Sequence, residues 1–123
     1  GRAAHQMATL RVYGRPSSSN TQKVLWMLHE VGRPFELVLA SRRLGADSNL
    51  LCEHSGSRPF GVIDTDAYSQ MCPTRQIPAL QDGELAIWES NTIVRYLAEQ
   101  YKAELHLDNA QGMARCSAWM DWA

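Results

Sequence analysis

Residues Arg75–Tyr101 read RQIPALQDGELAIWESNTIVRYLAEQY, and this stretch decides the fold. Two short apolar runs, Ile77–Leu80 and Leu85–Trp88, flank the pair Asp82-Gly83. An Asp-Gly pair between apolar runs predicts a β-hairpin, because both residues tolerate the positive φ of a tight turn. Proline has no N–H to donate to a ladder, so Pro78 is expected at a strand start or edge, where a cis peptide bond is also accessible.

A helix is predicted directly after the second run, following the polar residues Glu89-Ser90-Asn91. Its apolar residues recur at helical spacing, at Ile93, Val94, Leu97 and Tyr101. The start of a helix presents N–H groups without acceptors and a positive dipole end, so this junction is a candidate anion site. Ser90 also fits a simple N-cap beside a favourable charge on Glu89. The two interpretations are compatible, since a cap can face a ligand.

The N-terminal part has a strand–helix–strand pattern. Leu10–Tyr13 and Phe35–Leu39 alternate apolar and polar residues, which is typical of strands. The helix between them ends at Gly32, and Pro34 follows. One helix face carries Val24, Leu25, Leu28 and Val31. This order predicts a parallel pair of strands joined by a right-handed crossover.

The middle and the end of the chain have weaker patterns. Ala40–Thr65 is rich in glycine, proline and serine, and a loop of this length is usually functional or contains a short helix. Asn49–Cys52 is a candidate helical turn, and Asp66–Met71 is a second short helix. Asp108-Asn109-Ala110-Gln111 resembles a capping box, so another helix is expected to begin near Asn109.

Composition excludes several classes of function. The 123 residues suffice for one domain, and a net charge of −1 gives no electrostatic footprint for nucleic acid or an anionic membrane. No apolar run approaches the roughly 20 residues that span a bilayer. The three cysteines are widely spaced, which favours free thiols and a cytoplasmic location. The four histidines lack metal-ligand spacing, so no metal is expected.

The strings QIPAL, DG and WESNTIVRYLA resemble the second half of the glutathione-binding domain of glutathione S-transferases, of the serine type found in bacterial, theta and phi-like members. The resemblance implies a thioredoxin-like α/β fold with a four-stranded mixed sheet, built from βαβ, an irregular helix and ββα. Residues 1–9 are then expected to be disordered and residues 10–102 to form the glutathione-binding domain. Residues 103–123 are expected to be a linker and the start of a truncated all-helical C-terminal domain.

The same resemblance implies which residues bind glutathione. In the family, the residue before a cis-proline pairs its backbone with the cysteinyl part of glutathione, and a Glu-Ser pair holds the γ-glutamyl end. Those roles fall on Ile77, Pro78, Glu89 and Ser90, with Gln76 as an additional candidate. The residue that holds the glycine end is not assigned.

The family's catalytic residue lies between the first strand and the first helix. Counting back from the helix stop, the resemblance places the catalytic hydroxyl on Ser18, with Ser17 as the runner-up. Asn20 matches a side chain that supports the thiol in some bacterial and fungal relatives. The hydroxyl would favour the glutathione thiolate, which is the nucleophile, over the thiol. Ser19 and Gln22 form a capping box, so Ser19 is the expected N-cap, and a purely capping role for all three serines is the alternative.

Two residues depart from the family pattern. Cys72 stands where the family usually has asparagine, and Arg75 stands where it usually has glycine. The shape of this turn is therefore an open question, since glycine permits backbone angles that arginine resists. Cys72 is interpreted as an ordinary semi-buried cysteine, with a reactive thiol as the alternative. The tryptophans are interpreted as packing residues: Trp26, Trp88, Trp119 and Trp122.

The resemblance implies an enzyme of detoxification that adds the glutathione thiolate to small electrophilic substrates, with glutathione as co-substrate and a homodimer as the full-length form. The alternative is a non-catalytic glutathione-binding module, or an inactive fragment that lacks the electrophile-binding domain. The chain can also be part of a longer product. Dithiol exchange at the first helix is excluded, because Ser17–Asn20 contains no sulfur.

Overall fold

The computed structural model describes residues 10–41, 63, 65–101 and 109–122. Their strands form a four-stranded sheet in the order β2-β1-β3-β4. β1 is parallel to β2 and antiparallel to β3, and β3 is antiparallel to β4, so the mixed sheet predicted from the sequence is confirmed. The strands are β1 (Leu10–Gly14), β2 (Phe35–Leu39), β3 (Ala79–Asp82) and β4 (Leu85–Trp88).

The helices of the described residues begin and end close to the predicted positions. They are α1 (Ser19–Val31), α2 (Asp66–Met71), α3 (Ser90–Tyr101) and α4 (Ala110–Trp122). α1 stops at Gly32, whose φ of 67° is left-handed and whose N–H donates to the His29 carbonyl. α4 is capped by Asn109, which accepts from the Gly112 N–H at 2.7 Å. The predictions for residues 1–9 and Asn49–Cys52 lie outside the described residues.

Helices cover both faces of the sheet. Neighbouring strand residues point to opposite faces, so Val12 and Tyr13 belong to different apolar clusters. α1 and α3 pack on one face, around Leu10, Val12, Val24, Leu28, Leu80, Ile93 and Leu97. α2 packs on the other, with Tyr13, Ala40, Ile63, Tyr68, Cys72 and Ala79. None of these helices is long and apolar enough to cross a membrane.

The hairpin turn lies one residue later than predicted. Asp82 pairs with Leu85 and ends β3, so the turn is made by Gly83 and Glu84, and of these only Gly83 has a positive φ. Asp82 stays in the ladder because its carboxylate accepts hydrogen bonds from two tyrosine hydroxyls of α3. Tyr96 donates at 2.7 Å, and Tyr101 is the second donor.

The interpretation of the tryptophans as packing residues is wrong. Trp26 is 71% exposed, Trp88 is 41% exposed, Trp119 is 74% exposed and Trp122 is 81% exposed. Trp26 and Trp119 line an apolar groove of about 390 Å³ between α1, α3 and α4. These rings lie on outward faces of their helices. Helical spacing in the sequence identifies a face of a helix, but it does not predict whether another element covers that face.

Candidate functional site

The segments singled out from the sequence meet at one end of the sheet. In the strand register Tyr13 pairs with Ala79, and Ala79 pairs with Trp88. Neighbouring strands lie about 4.8 Å apart, so these three residues form a row roughly 10 Å wide. We call it the Tyr13–Ala79–Trp88 row. Every candidate segment begins or ends within a few residues of it: 15–20, 76–78 and 89–91.

A close contact sets α1 against the end of β1. A Cβ added at Gly14 would lie 2.6 Å from the Thr21 hydroxyl oxygen, so glycine is needed there. Thr21 is fully buried in the first turn of α1. The start of the helix is therefore held directly over the strand end, which fixes the position of the residues just before it.

Ser18, and not Ser19, is the N-cap of α1. The Ser18 hydroxyl oxygen accepts from the Thr21 N–H at 3.3 Å, and its carbonyl accepts from the Gln22 N–H at 2.9 Å. The capping box predicted for Ser19 is wrong because the helix begins at Ser19 itself, and a cap must precede the first helical residue. Since the Ser18 oxygen accepts through a lone pair, its hydroxyl hydrogen is left to donate to another group.

The other polar residues of this junction are more exposed. Ser17 lies on the surface and accepts from Arg15 Nη1 at 2.7 Å. Asn20 is exposed in the first turn of α1. Ser18 is half-buried, and its hydroxyl oxygen is held by the cap of α1.

The turn before β3 keeps a shape that glycine would favour. Arg75 has a φ of 52°, in the left-handed region, and its N–H donates to the Cys72 carbonyl at 3.0 Å. The question raised by Arg75 in the sequence is thereby answered, because arginine occupies the conformation despite its cost. The peptide bond between Ile77 and Pro78 is cis, as the position of the proline allowed.

Cys72 is an ordinary buried cysteine, buried more completely than the sequence suggested. Its sulfur lies 3.4 Å from the Thr74 hydroxyl and 3.4 Å from the Gln76 carbonyl. Tyr68, a residue that the sequence did not single out, donates its hydroxyl to the same carbonyl at 2.7 Å. No local pattern in the sequence signals this contact, since it joins α2 to the segment before β3.

Glu89, and not Ser90, is the cap of α3. Glu89 has a φ of 77°, its carbonyl accepts from the Ile93 N–H at 3.0 Å, and its carboxylate accepts from the Asn91 N–H at 3.3 Å. The N-cap interpretation of Ser90 is wrong because the left-handed Glu89 turns β4 directly into the helix. Ser90 is instead the first helical residue and is buried, while the Glu89 carboxylate is exposed.

The starts of α1 and α3 are adjacent. Lys23 Nζ donates to Asn91 Oδ1 at 2.9 Å, which links the N-terminal half of α1 to the first turn of α3. Both helices therefore present first-turn N–H groups and positive dipole ends near the Tyr13–Ala79–Trp88 row. Such an arrangement suits an anionic ligand. Within the described ranges, histidine, cysteine, aspartate and glutamate side chains do not gather in groups of three that could hold a metal ion.

Comparison with known proteins gives a consistent family. A family model described as the N-terminal domain of glutathione S-transferases matches residues 12–105. The chain is 38% identical over 117 residues to glutathione S-transferase GstB of Escherichia coli, which covers 93% of the chain and 49% of that protein. It is 30% identical over 116 residues to the probable glutathione S-transferase GSTF2 of Oryza sativa, covering 94% of the chain and 46% of that protein. The chain thus spans about half the length of these relatives.

Solved structures agree. The theta class glutathione S-transferase of Xanthomonas axonopodis pv. citri, with glutathione bound, superposes with a TM-score of 0.74 at 37% identity, and the match covers 94% of the chain and 48% of that protein. Glutathione S-transferase-I bound with lactoylglutathione gives a TM-score of 0.70 at 27% identity, covering 93% and 47%.

Proposed function

The chain belongs to the glutathione S-transferase family, and on that premise we propose that it binds glutathione and holds the glutathione thiolate for attack on small electrophilic substrates. The observation that carries the proposal is the convergence of residues 15–20, 76–78 and 89–91 at the Tyr13–Ala79–Trp88 row. A hydroxyl donor, a backbone segment and two helix starts would then face one anionic ligand.

Ser18 is proposed to stabilise the thiolate. Its hydroxyl hydrogen is left free by the cap and would donate to the glutathione sulfur, with Asn20 in support. A free thiol has a pKa near 8.5, and each unit of lowering corresponds to about 1.4 kcal/mol. A hydrogen bond to a charged group is worth roughly 1.5–3 kcal/mol, enough to lower the thiol pKa by one to two units.

The backbone and α3 are proposed to orient the rest of glutathione. Ile77, beside Pro78 and Gln76, would pair its backbone with the cysteinyl residue. The exposed Glu89 carboxylate suits the γ-glutamyl ammonium group, and the Ser90 hydroxyl, at the positive end of α3, suits the γ-glutamyl carboxylate. Orientation of this kind brings the sulfur to the electrophile in a productive geometry.

The remaining assignments follow as proposals from the family. Residues 10–102 would form the glutathione-binding domain, and 103–123 a linker leading into an all-helical region. A detoxification role is proposed for the whole protein. The exposed tryptophans support a homodimer, and the free thiols of Cys72 and Cys116 support a cytoplasmic location. No metal is proposed in the reaction, with glutathione as the co-substrate.

Calorimetric titration with glutathione tests the proposal. We expect Ser18→Ala to bind within about twofold of wild type but to raise the pKa of the bound thiol by one to two units, read from thiolate absorbance. Glu89→Gln keeps an oxygen for the cap but removes the charge, and should weaken binding about tenfold. Ser17→Ala is the matched control and should change neither quantity.

A folded wild-type chain that does not bind glutathione would contradict the proposal for this chain. Binding without turnover of any electrophile would favour the non-catalytic binding module instead. Equal effects of Ser17→Ala and Ser18→Ala on the thiol pKa would remove the assignment of Ser18.

A further inference from the structure

The Gln76 carbonyl is turned inward although its side chain is exposed. It accepts the Tyr68 hydroxyl at 2.7 Å and the Cys72 thiol at 3.4 Å. Both donors are fully buried, one inside α2 and the other at its C-cap. The Thr74 hydroxyl lies 3.4 Å from the Cys72 sulfur and can donate to it, which leaves the thiol hydrogen for the carbonyl.

This anchoring fixes the plane of the Gln76–Ile77 peptide. In the described backbone only the Ile77–Pro78 bond is cis, so the Gln76–Ile77 peptide is trans. In a trans peptide the C=O and N–H point in opposite directions. Because the Gln76 carbonyl points at α2, the Ile77 N–H points away from it. Ile77 precedes β3 and lies outside its ladder, and its N–H has no acceptor among the described residues.

We propose that Tyr68 is a positioning residue for glutathione, and that its hydroxyl, together with the Cys72 thiol, holds the Gln76–Ile77 peptide so that the Ile77 N–H meets the cysteinyl carbonyl of the ligand. The inference rests on the proposed function, which gives Ile77 its role. It adds a pair of buried donors, neither of which touches the ligand, to the residues that determine affinity.

The environment of Tyr68 keeps its hydroxyl protonated and able to donate a hydrogen bond. Burial raises the pKa of the Tyr68 hydroxyl far above its usual range, with smaller contributions from Cys72 and Tyr13, so the hydroxyl stays protonated. The neighbouring turn contains the left-handed Arg75, a conformation that arginine does not favour by itself. The hydrogen bonds to the Gln76 carbonyl therefore fix a segment that its own backbone preferences would not fix. Because the Ile77 N–H is already oriented, less conformational entropy is lost when glutathione binds.

The test compares two buried tyrosines of one cluster. Tyr68→Phe removes the hydroxyl that holds Gln76, whereas Tyr13→Phe removes a hydroxyl that donates to Gln81 at 2.8 Å. Tyr68 is 0% and Tyr13 is 3% exposed, and both belong to the same apolar cluster, so each variant removes one hydroxyl from a similarly buried ring. We expect Tyr68→Phe to raise the Kd for glutathione about 3- to 10-fold and Tyr13→Phe to leave it within about twofold.

Two measurements distinguish a positioning role of Tyr68 from a general weakening of glutathione binding. The pKa of the bound glutathione thiol should stay at the wild-type value in Tyr68→Phe, because the Ser18 hydroxyl is untouched. The glutathione-induced shift of the Ile77 amide proton in NMR spectra should shrink, while that of Ser90 persists. Cys72→Ser keeps a donor and should bind more tightly than Cys72→Ala, which decides the matter if Tyr68→Phe does not fold.

The outcomes distinguish the two proposals. If the folded wild-type chain does not bind glutathione, the proposed function fails. If wild type binds and Tyr68→Phe binds equally well, the positioning role is overturned. Equal losses in Tyr68→Phe and Tyr13→Phe, or equal affinities of the two Cys72 variants where Tyr68→Phe cannot be made, would overturn it as well.

Discussion

Two helices of the same length are held in opposite ways. α1 and α4 each contain 13 residues, yet α1 buries Thr21, Val24 and Leu28 whereas α4 buries none of its residues. α4 is attached by polar contacts: the Asn91 amide donates to the Met120 carbonyl at 3.0 Å, and Arg95 pairs with Asp121. The comparison teaches that apolar content does not make a core helix.

What differs is the surface that each helix meets. The apolar face of α1 lies on the sheet and on α3, which bury it from both sides. α4 meets the outward sides of α1 and α3, and its aromatic side chains stay exposed around the apolar groove. The candidate site therefore lies on the packed body of α1, α3 and the sheet, and α4 contacts it through the hydrogen bond from the Asn91 amide to the Met120 carbonyl.

The largest test of this comparison truncates one apolar side chain in each helix. Leu28→Ala should lower the free energy of unfolding by about 2–5 kcal/mol, because it leaves a cavity in the core. Trp119→Ala should change it by no more than about 0.5 kcal/mol, since the ring is 74% exposed. Urea denaturation measures both. A Trp119→Ala loss as large as that of Leu28→Ala would show that α4 belongs to the core.

Alkaline pH should weaken the packed body through its tyrosines. Burial first, and then the hydrogen bond to Asp82, raises the pKa of Tyr101 to about 12, and the Tyr68 and Tyr96 pKa values are also raised. An unfolded tyrosine ionises near pH 10. The stabilisation that the protonated tyrosines contribute to the folded state is therefore complete below about pH 10 and is lost as the pH rises toward 12. α4 contains no tyrosine, so the effect reports on α2, α3 and the sheet on which they pack.

The measurement is the urea midpoint at a series of pH values. Tyr101→Phe is the control and should show a shallower decline above pH 10, because one of the groups that takes part has been removed. A wild-type midpoint that does not change between about pH 9 and 12 would contradict the buried hydrogen-bonded state of these tyrosines.

The smallest expected effect is at the contact that ties α4 down. A double-mutant cycle of Arg95→Ala and Asp121→Ala should give a coupling energy of about 0.2–1 kcal/mol, since the Asp121 side chain is 67% exposed. The coupling should fall at high salt because the pair is screened by solvent. A coupling above about 2 kcal/mol would place α4 among the structural elements of the body.

Local patterns in the sequence predicted the elements well. The spacing of Ile93 and Leu97 and the glycine at position 32 are signals within one helix, and both were confirmed. Both predicted caps were one residue too late: the caps are Ser18 and Glu89, and not Ser19 and Ser90. The reason is that the preceding turn or strand determines the residue at which the helix begins. Several adjacent residues at each junction had the chemistry to cap.

Contacts between distant segments were not predictable. The sequence predicts Asp82 in the turn, but two tyrosines of α3 donate to its carboxylate and hold it in the strand. No sequence pattern indicated the role of Tyr68, because its hydroxyl donates to the Gln76 carbonyl, eight residues later in the chain. The exposure of Trp26 was likewise decided by the fold and not by its position among the apolar residues of α1.

The Tyr13–Ala79–Trp88 row has a consequence for how such a site changes over time. Backbone pairing spaces the three segments, and pairing is indifferent to most side chains. Exposed side chains beside the row can therefore be replaced while the spacing persists. A single-residue insertion or deletion in β3 would instead move every later strand residue to the other face. The position of the candidate site therefore depends on the strand register, which most side-chain replacements leave intact and a change in strand length does not.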